Sequence, residues 1–163
     1  MELPKLCFPD YDFKIQPAAV SGQSLKIFDI IRKKYVTLTP EEWVRQHLLH
    51  FLVNERKFPQ TLLSVEKKVL VNRLFRRTDV VIYSSSLKPI LIAECKSPTV
   101  DISQSVFDQT ARYNMTLEVL YFVITNGLEI YCCRINHEDR SYRFLEEIPD
   151  YDEIRNELSS KQQ

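Results

Sequence analysis

Apolar and polar residues alternate in several short stretches of the chain, and this period of two predicts β-strands. The five clearest stretches lie near 62–71, 74–83, 89–97, 118–125 and 128–135. The first three are predicted to be consecutive antiparallel strands. Asn126-Gly127 separates the last two and predicts a two-residue hairpin in which both turn residues take positive φ. Two further β-type runs, at 11–15 and 25–38, predict two strands near the amino terminus.

Apolar residues recur at helical spacing in two other segments, near 40–54 and 102–115, and a short helix is expected at 151–158. The first segment carries a clear start signal. Thr39 is suited to cap the helix, Pro40 to its first position, and Glu42 completes an S/T-x-x-E capping box. The side of this helix that carries Arg45 is expected to be the wetter one.

Length and composition narrow the classes of protein to consider. The 163 residues suit one domain, expected to span 1–163 with a tail at 149–163, and 22 basic residues balance 22 acidic ones. With only two glycines, the chain can build neither a Gly-rich dinucleotide loop nor a phosphate loop, so no nucleotide cofactor is expected. The amino-terminal residues form no continuous apolar segment, so we expect a cytoplasmic protein without a membrane span.

The middle hairpin brings acidic residues together. If it turns about residues 86–87, Tyr83 pairs with Ile90 and Asp79 lies opposite Glu94. Directly opposed like charges cost roughly 0.2–1 kcal/mol, which a divalent cation would offset. A turn at Asn72-Arg73 would place Glu66 opposite Asp79 as well, although arginine is a poor occupant of such a turn.

Asp79 and the sequence Glu94-Cys95-Lys96 lie on a β-hairpin between two helices, in the order αβββαβ. This arrangement resembles the PD-(D/E)XK nuclease superfamily. More specifically, the chain resembles the N-terminal nuclease domain of type I restriction enzyme R subunits. It rests on the runs IRKKYVTLTPEEWVRQ, RRTDVV, LIAECKSP, QTARYN and VITNG. It covers about residues 25–135, with Thr78 where the superfamily has its first proline.

The resemblance implies an α/β (α+β) fold of the restriction-endonuclease type, with a mixed sheet flanked by helices. It also implies a divalent-metal-dependent DNA endonuclease linked to restriction or defence, using Mg²⁺ or Mn²⁺. Asp79, Glu94 and the main-chain carbonyl of Cys95 would hold the metal, and Lys96 would orient the attacking water. Glu66 is a further candidate ligand. Glu42 resembles the acid of the first helix, although its place in the capping box explains it equally well.

Other candidate residues flank this motif. Gln109 and Tyr113 lie one helical turn apart and are expected to lean over the site, unless they merely pack the helix on the sheet. Four basic residues are expected to contact DNA phosphates, or else form a solvated edge: Arg76, Arg77, Lys67 and Lys68.

A second interpretation of the whole chain stays open. Any one residue of the motif is explained by a solvated sheet face with a cross-strand ion pair, and only the joint pattern favours catalysis. The alternative is therefore a catalytically silent nuclease-fold module that binds nucleic acid or protein. Because the net charge is zero, a homodimer or a protein partner is expected to assist DNA binding.

Overall fold

The computed structural model describes residues 3–18, 24–71, 74–114 and 118–160. Its elements are β1 (Ile15–Pro17), β2 (Leu25–Asp29), β3 (Lys34–Thr37), α1 (Pro40–Asn54), a 3₁₀ turn (Gln60–Leu62), β4 (Leu63–Val71), β5 (Leu74–Tyr83), β6 (Pro89–Cys95), α2 (Gln104–Asn114), β7 (Tyr121–Thr125), β8 (Ile130–Asn136), β9 (Ser141–Leu145) and α3 (Tyr151–Ser160). The stretch from α1 to β7 has the predicted αβββαβ order. The α+β fold class is therefore confirmed.

The strands form two sheets. The larger has six strands in the order β4-β5-β6-β7-β8-β9, and β1-β2-β3 form a separate antiparallel sheet. In the larger sheet β6 and β7 run parallel, which requires a crossover, and α2 lies in that connection. The other neighbours are antiparallel. The larger sheet is therefore mixed, as predicted.

Each face of the larger sheet has its own apolar core. Val80 and Ala93 belong to the core that includes apolar residues of α1, whereas Val81 and Ile92 pack with Phe107 of α2. Successive strand residues point to opposite faces, so this division confirms the predicted face assignment of the middle hairpin. Asp79 on β5 and Glu94 on β6 alternate with these residues of the α1 core, and Lys96 follows directly after β6.

Three strand predictions need correction. The run at 25–38 is a hairpin of two strands rather than one, because the carboxylate of Asp29 accepts hydrogen bonds from the backbone N–H groups of Ile31 and Arg32 and reverses the chain. Strand β9 was not predicted. The predicted pairing of Tyr83 with Ile90 is wrong, because an irregularity after Ile82 shifts Tyr83 onto Pro89.

The hairpin at Asn126-Gly127 also differs from the prediction. Thr125 pairs with Ile130, so the loop has more than two residues. Of the two predicted turn residues only Gly127 has positive φ, at 83°. The Asn126 side chain accepts the backbone N–H groups of the next loop residues. A Cβ on Gly127 would lie 2.8 Å from Leu6, so glycine also permits the amino-terminal segment to pack there.

Helix α1 has the predicted bounds, and Thr39 Oγ1 accepts the backbone N–H of Glu42 over 3.0 Å. The side-chain half of the capping box is absent among the described contacts, because the Glu42 carboxylate instead accepts from Arg32, Arg45 and Gln46. The expectation of a wet Arg45 side is wrong, since only 4% of Arg45 is exposed. In the described ranges no helix has both the length and the apolar character to cross a membrane.

Candidate active site

Asp79 and Glu94 lie on the neighbouring strands β5 and β6. Val80, next to Asp79, pairs with Ala93, next to Glu94. The backbone N–H of Cys95 donates to Oδ2 of Asp79 over 2.7 Å, which fixes the carboxylate at the end of the hairpin. The charge of Asp79 acts on Glu94, so the two acids are neighbours, while their direct opposition across the strands stays a prediction.

Arg45 of α1 binds the other oxygen of Asp79. Its Nη2 lies 3.1 Å from Oδ1 of Asp79 and 3.0 Å from Oε1 of Glu41, and its Nη1 donates to Glu42. Burial would lower the pKa of Arg45, but the charges of these acids more than offset it and raise the pKa. A permanent cation is therefore held beside Asp79 by three carboxylates.

Lys96 directs its ammonium group towards Glu94. Its Nζ lies 2.9 Å from Oε1 of Glu94. Burial, followed by the charge of Asp79, raises the pKa of Glu94 despite this partner. Burial opposes the charged form of Lys96, but the hydrogen bond to Glu94 and the charges of Asp79 and Glu41 raise the pKa of Lys96. Lys96 therefore does not fully offset the effects of burial and of Asp79 on Glu94, and a bound cation would stabilise the charged form of Glu94.

Glu66 does not join the other two acids. The β4–β5 register holds on both sides of it, with Val65 on Val80 and Lys67 on Thr78, but Glu66 itself takes φ of 52°. Its carboxylate pairs with Arg32 over 2.8 Å and with Arg77. Burial raises its pKa, but these hydrogen bonds and charges lower it overall. Metal ligation by Glu66 therefore stays a prediction.

Glu42 belongs to a buried network behind the site. Nη2 of Arg32 lies 2.5 Å from Oε1 of Glu42, while Nε of Arg32 lies 2.6 Å from Asp29. The Gln46 amide donates to both acids, over 2.8 Å to Glu42 and 2.9 Å to Asp29. Glu42 is thus bound by two arginines and a glutamine. Its role as the acid of the first helix stays a prediction.

Cys95 offers a metal only its main-chain carbonyl. Its side chain is buried in the core beneath α1, and burial raises the pKa of the thiol well above its ordinary value. The sulfur therefore stays protonated and packs within this core.

The donor set suits a hard cation with few protein ligands. In the part of the chain that the structure describes, no three His, Cys, Asp or Glu side chains are grouped so as to hold a metal ion. Mg²⁺ is commonly held by one or two carboxylates and keeps several waters, so the Asp79 and Glu94 pair fits Mg²⁺, with Cys95 supplying a carbonyl. Zinc, which prefers closed nitrogen and sulfur shells, does not fit.

The remaining predicted residues lie further from these acids or on the surface. Gln109 is exposed on α2, on the side away from the buried Phe107 and Ala111, so leaning over the site stays a prediction. Lys67, Lys68 and Arg77 are exposed on β4 and β5. Arg76 pairs through its backbone with Val69, and its side chain, like that of Tyr113, lies outside the described set.

Sequence reasoning missed Glu41, Arg45 and Arg32. Burial is the main cause that raises the pKa of Glu94, and the charge of Glu41 is a minor addition. The spacing of Arg45, four residues after Glu41 and three after Glu42, is the helical spacing of an ion pair and was an available signal. No local pattern indicates Arg32, because its partners lie on three different elements.

Comparisons with known proteins identify a family and a similar fold. A sequence profile of the family described as type I restriction enzyme R protein N terminus matches residues 40–149. Among solved structures, the fold is similar to the fragment assigned as an HsdR subunit of a type I restriction enzyme from Vibrio vulnificus YJ016, with a TM-score of 0.55 and 17% identity. That match covers 76% of this chain and 26% of the other, so this chain spans about a quarter of that protein. No curated protein matches.

Proposed function

The chain belongs to the type I restriction enzyme R protein N-terminal family, and on that premise we propose that it is a divalent-metal-dependent DNA endonuclease acting in restriction or defence. The observation that carries this proposal is that Asp79 binds the backbone N–H of Cys95, next to Glu94, and that Lys96 binds Glu94. Two carboxylates suit a divalent cation, and an ammonium group can stabilise the charge that develops on a phosphate during hydrolysis.

Each side chain would have its own task. Asp79 and Glu94 would hold Mg²⁺ or Mn²⁺, together with the carbonyl of Cys95. When bound, the ion supplies Lewis-acid polarisation of the phosphodiester and lowers the pKa of a water. Lys96 would orient that water and stabilise negative charge on the phosphate oxygens. The Cys95 N–H and Arg45 would keep the Asp79 carboxylate in position.

Basic side chains on the β4–β5 hairpin would position the DNA backbone. Lys67, Lys68 and Arg77 are exposed there, and Arg76 is the fourth member of this proposed group. Contacts of this kind go to phosphates and carry no sequence information. Because the chain has no net charge, a second copy or a protein partner would strengthen the binding of DNA.

One observation favours the second candidate, a catalytically silent nuclease-fold module that binds nucleic acid or protein. Arg45 already neutralises Asp79, and Arg32 neutralises Glu42 and Glu66. Because these arginines already offset the repulsion between the carboxylates, a bound metal ion would stabilise the site less. The two candidates differ in whether a divalent ion binds to Asp79 and Glu94.

Nicking of supercoiled plasmid tests the proposal. Wild-type protein should nick or cut plasmid with Mg²⁺ or Mn²⁺ and stop when chelator is added. Asp79→Asn, Glu94→Gln and Lys96→Gln should each lower the rate at least about a hundredfold, while Lys88→Gln, on an exposed loop, serves as the control. Nicking that continues in chelator, or in Lys96→Gln at the wild-type rate, contradicts the proposed function.

A further inference from the structure

One face of the small amino-terminal sheet carries aromatic, basic and polar side chains in two rows. Its register places Lys14, Phe28 and Tyr35 in one row across the three strands: Phe28 pairs with Tyr35, and the Phe28 N–H donates to the Lys14 carbonyl over 2.9 Å. Gln16, Lys26 and Thr37 form the next row on the same face. The opposite face carries Ile27 and Asp29, which are buried.

Two aromatic rings lie in the middle of this face. The rings of Phe28 and Tyr35 meet edge to face, with centroids 5.3 Å apart. Tyr35 is 37% exposed, and neither ring belongs to the two cores formed by the described residues. Phe28 therefore supports a Tyr35 ring that remains accessible to a ligand.

Two lysines lie beside the rings. Nζ of Lys14 lies 5.7 Å from the centroid of the Phe28 ring, and Lys26 lies in the neighbouring row. Within the described ranges, neither lysine forms an ion pair with an acid. In a chain with no net charge, these are positive charges that no carboxylate of the described residues pairs with. We call Lys14, Lys26, Phe28 and Tyr35 the outer platform.

The outer platform shares a cleft with Arg45, which binds Asp79 of the candidate active site. Lys26 and Tyr35 line an open cleft of about 450 Å³, whose other walls include Glu41, Glu42 and Glu66. The acids in this cleft have partners of their own, since Arg45 binds Glu41 and Glu42, and Arg32 binds Glu66. The positive charge of Lys26 at its edge therefore remains available to a phosphate.

We propose that the outer platform binds a single DNA strand, with a base stacked on Tyr35 and phosphates beside Lys14 and Lys26, next to the cleavage site. Exposed aromatic rings flanked by lysines on a sheet bind unpaired nucleic acid, because a base offers its face only when it leaves the duplex stack. A duplex would offer only its phosphates here. The choice of DNA rests on the proposed function; the choice of a single strand rests on the platform.

Fluorescence anisotropy in chelator tests this inference without any metal chemistry. The probes are a labelled oligothymidylate of about 20 nucleotides and a labelled mixed-sequence duplex of the same length. Tyr35→Thr removes the ring but keeps a residue suited to a strand, and Tyr35→Phe keeps the ring. Lys14→Gln with Lys26→Gln removes two charges, and Lys5→Gln with Lys88→Gln removes two exposed charges elsewhere. Melting temperatures verify that each variant is folded.

The strand should bind more tightly than the duplex. Tyr35→Thr should weaken strand binding about 5-fold to about 150-fold, and Tyr35→Phe by less than about twofold. The platform lysine pair should lower the slope of log affinity against log salt by about 1.4, at roughly 0.7 for each contact. The control pair should change it less.

Three results would overturn the inference: equal strand affinity in Tyr35→Thr and Tyr35→Phe, equal losses in the two lysine pairs, or a duplex that binds as tightly and depends equally on Tyr35. The face would then belong to solvent or to a protein partner. Plasmid nicking separates this failure from failure of the proposed function. Metal-dependent nicking with a platform that binds no strand overturns only the inference, whereas strand binding without nicking overturns only the function.

Discussion

The guanidinium of Arg45 donates to Oδ1 of Asp79 over 3.1 Å, so a buried, permanent cation lies on the first acid of the nuclease-like motif. The same guanidinium binds Glu42, whose side chain is only 7% exposed. The packing of α1 on the hairpin therefore places the Arg45 guanidinium against Asp79, so the same contact stabilises the fold and positions the acid.

Removing Arg45 should cost much of the stability of the fold. Arg45→Met leaves Glu42 buried without one of its cations, and we expect the free energy of unfolding in urea at pH 7 to fall by about 3–5 kcal/mol. Arg77→Met is the matched control. Arg77 also pairs with an acid, but its side chain is 64% exposed, so its loss should cost less than about 1 kcal/mol. Similar losses in the two variants would show that Arg45 is only a surface charge.

Glu94 should make stability depend on pH. Its pKa is raised, first by burial and then by Asp79, so the folded chain holds this proton more tightly than the unfolded chain. Without metal, the free energy of unfolding should therefore fall as pH rises from the ordinary pKa of 4.5 through the raised value. Glu94→Gln should reduce this fall.

At pH 7 the Glu94→Gln protein should equal the wild type or exceed it by up to about 1 kcal/mol, because it removes one of two neighbouring like charges. Urea unfolding across this pH range, with the exposed Glu138→Gln as the control, measures the effect. A Glu94→Gln protein that is clearly less stable at pH 7 would mean that the ion pair with Lys96 outweighs the repulsion from Asp79.

Asp29 should make the free energy of unfolding depend on pH in the opposite direction to Glu94. Burial raises its pKa, but hydrogen bonds from Arg32 and Gln46 lower it overall. The stability it contributes is therefore present above its ordinary pKa of 3.8 and is lost as pH falls through the lowered value. Asp29→Asn should cost about 1.5–3 kcal/mol at pH 7, with a smaller difference from wild type in strong acid. The control variant Asp12→Asn, at an exposed position, should have the same acid unfolding curve as the wild type. A stability difference between Asp29→Asn and the wild type that stayed constant with pH would contradict this assignment.

The basic residues of the β4–β5 hairpin should bind DNA without regard to sequence. Lys67→Gln with Lys68→Gln should weaken binding about equally for unrelated duplexes, and should lower the salt slope by roughly 0.9 for each lost phosphate contact. Anisotropy titrations at several salt concentrations measure both. Unchanged affinity and slope would assign these exposed lysines to solvent.

The position of the two acids could be predicted because several signals agree. Alternation assigned Val80 and Ala93 to one face, and the hairpin length then gave the register that pairs these two residues. Thr39 and Pro40 located the start of α1 equally well. These are local properties of a few residues, and they hold whatever the rest of the chain does.

The surroundings of the acids could not be predicted in the same way, because they depend on contacts between distant elements. Glu66 takes φ of 52° within a strand and pairs with Arg32, 34 positions earlier in the chain. The turn that separates β2 from β3 contains no glycine or proline and is made by the Asp29 side chain. The capping-box pattern accounts for Glu42 locally, so this pattern gives no sign that the Glu42 carboxylate binds Arg32 and Arg45.

Divalent-ion binding measured by calorimetry tests the central claim, that Asp79 and Glu94 form a metal site. Mn²⁺ should bind the protein alone, and Ca²⁺, which binds through looser coordination, should bind its complex with DNA. Glu94→Gln should weaken both at least about tenfold, since it removes one of two carboxylate ligands. Absence of binding in both states, or equal binding by wild type and Glu94→Gln, would contradict the nuclease proposal and favour the silent module.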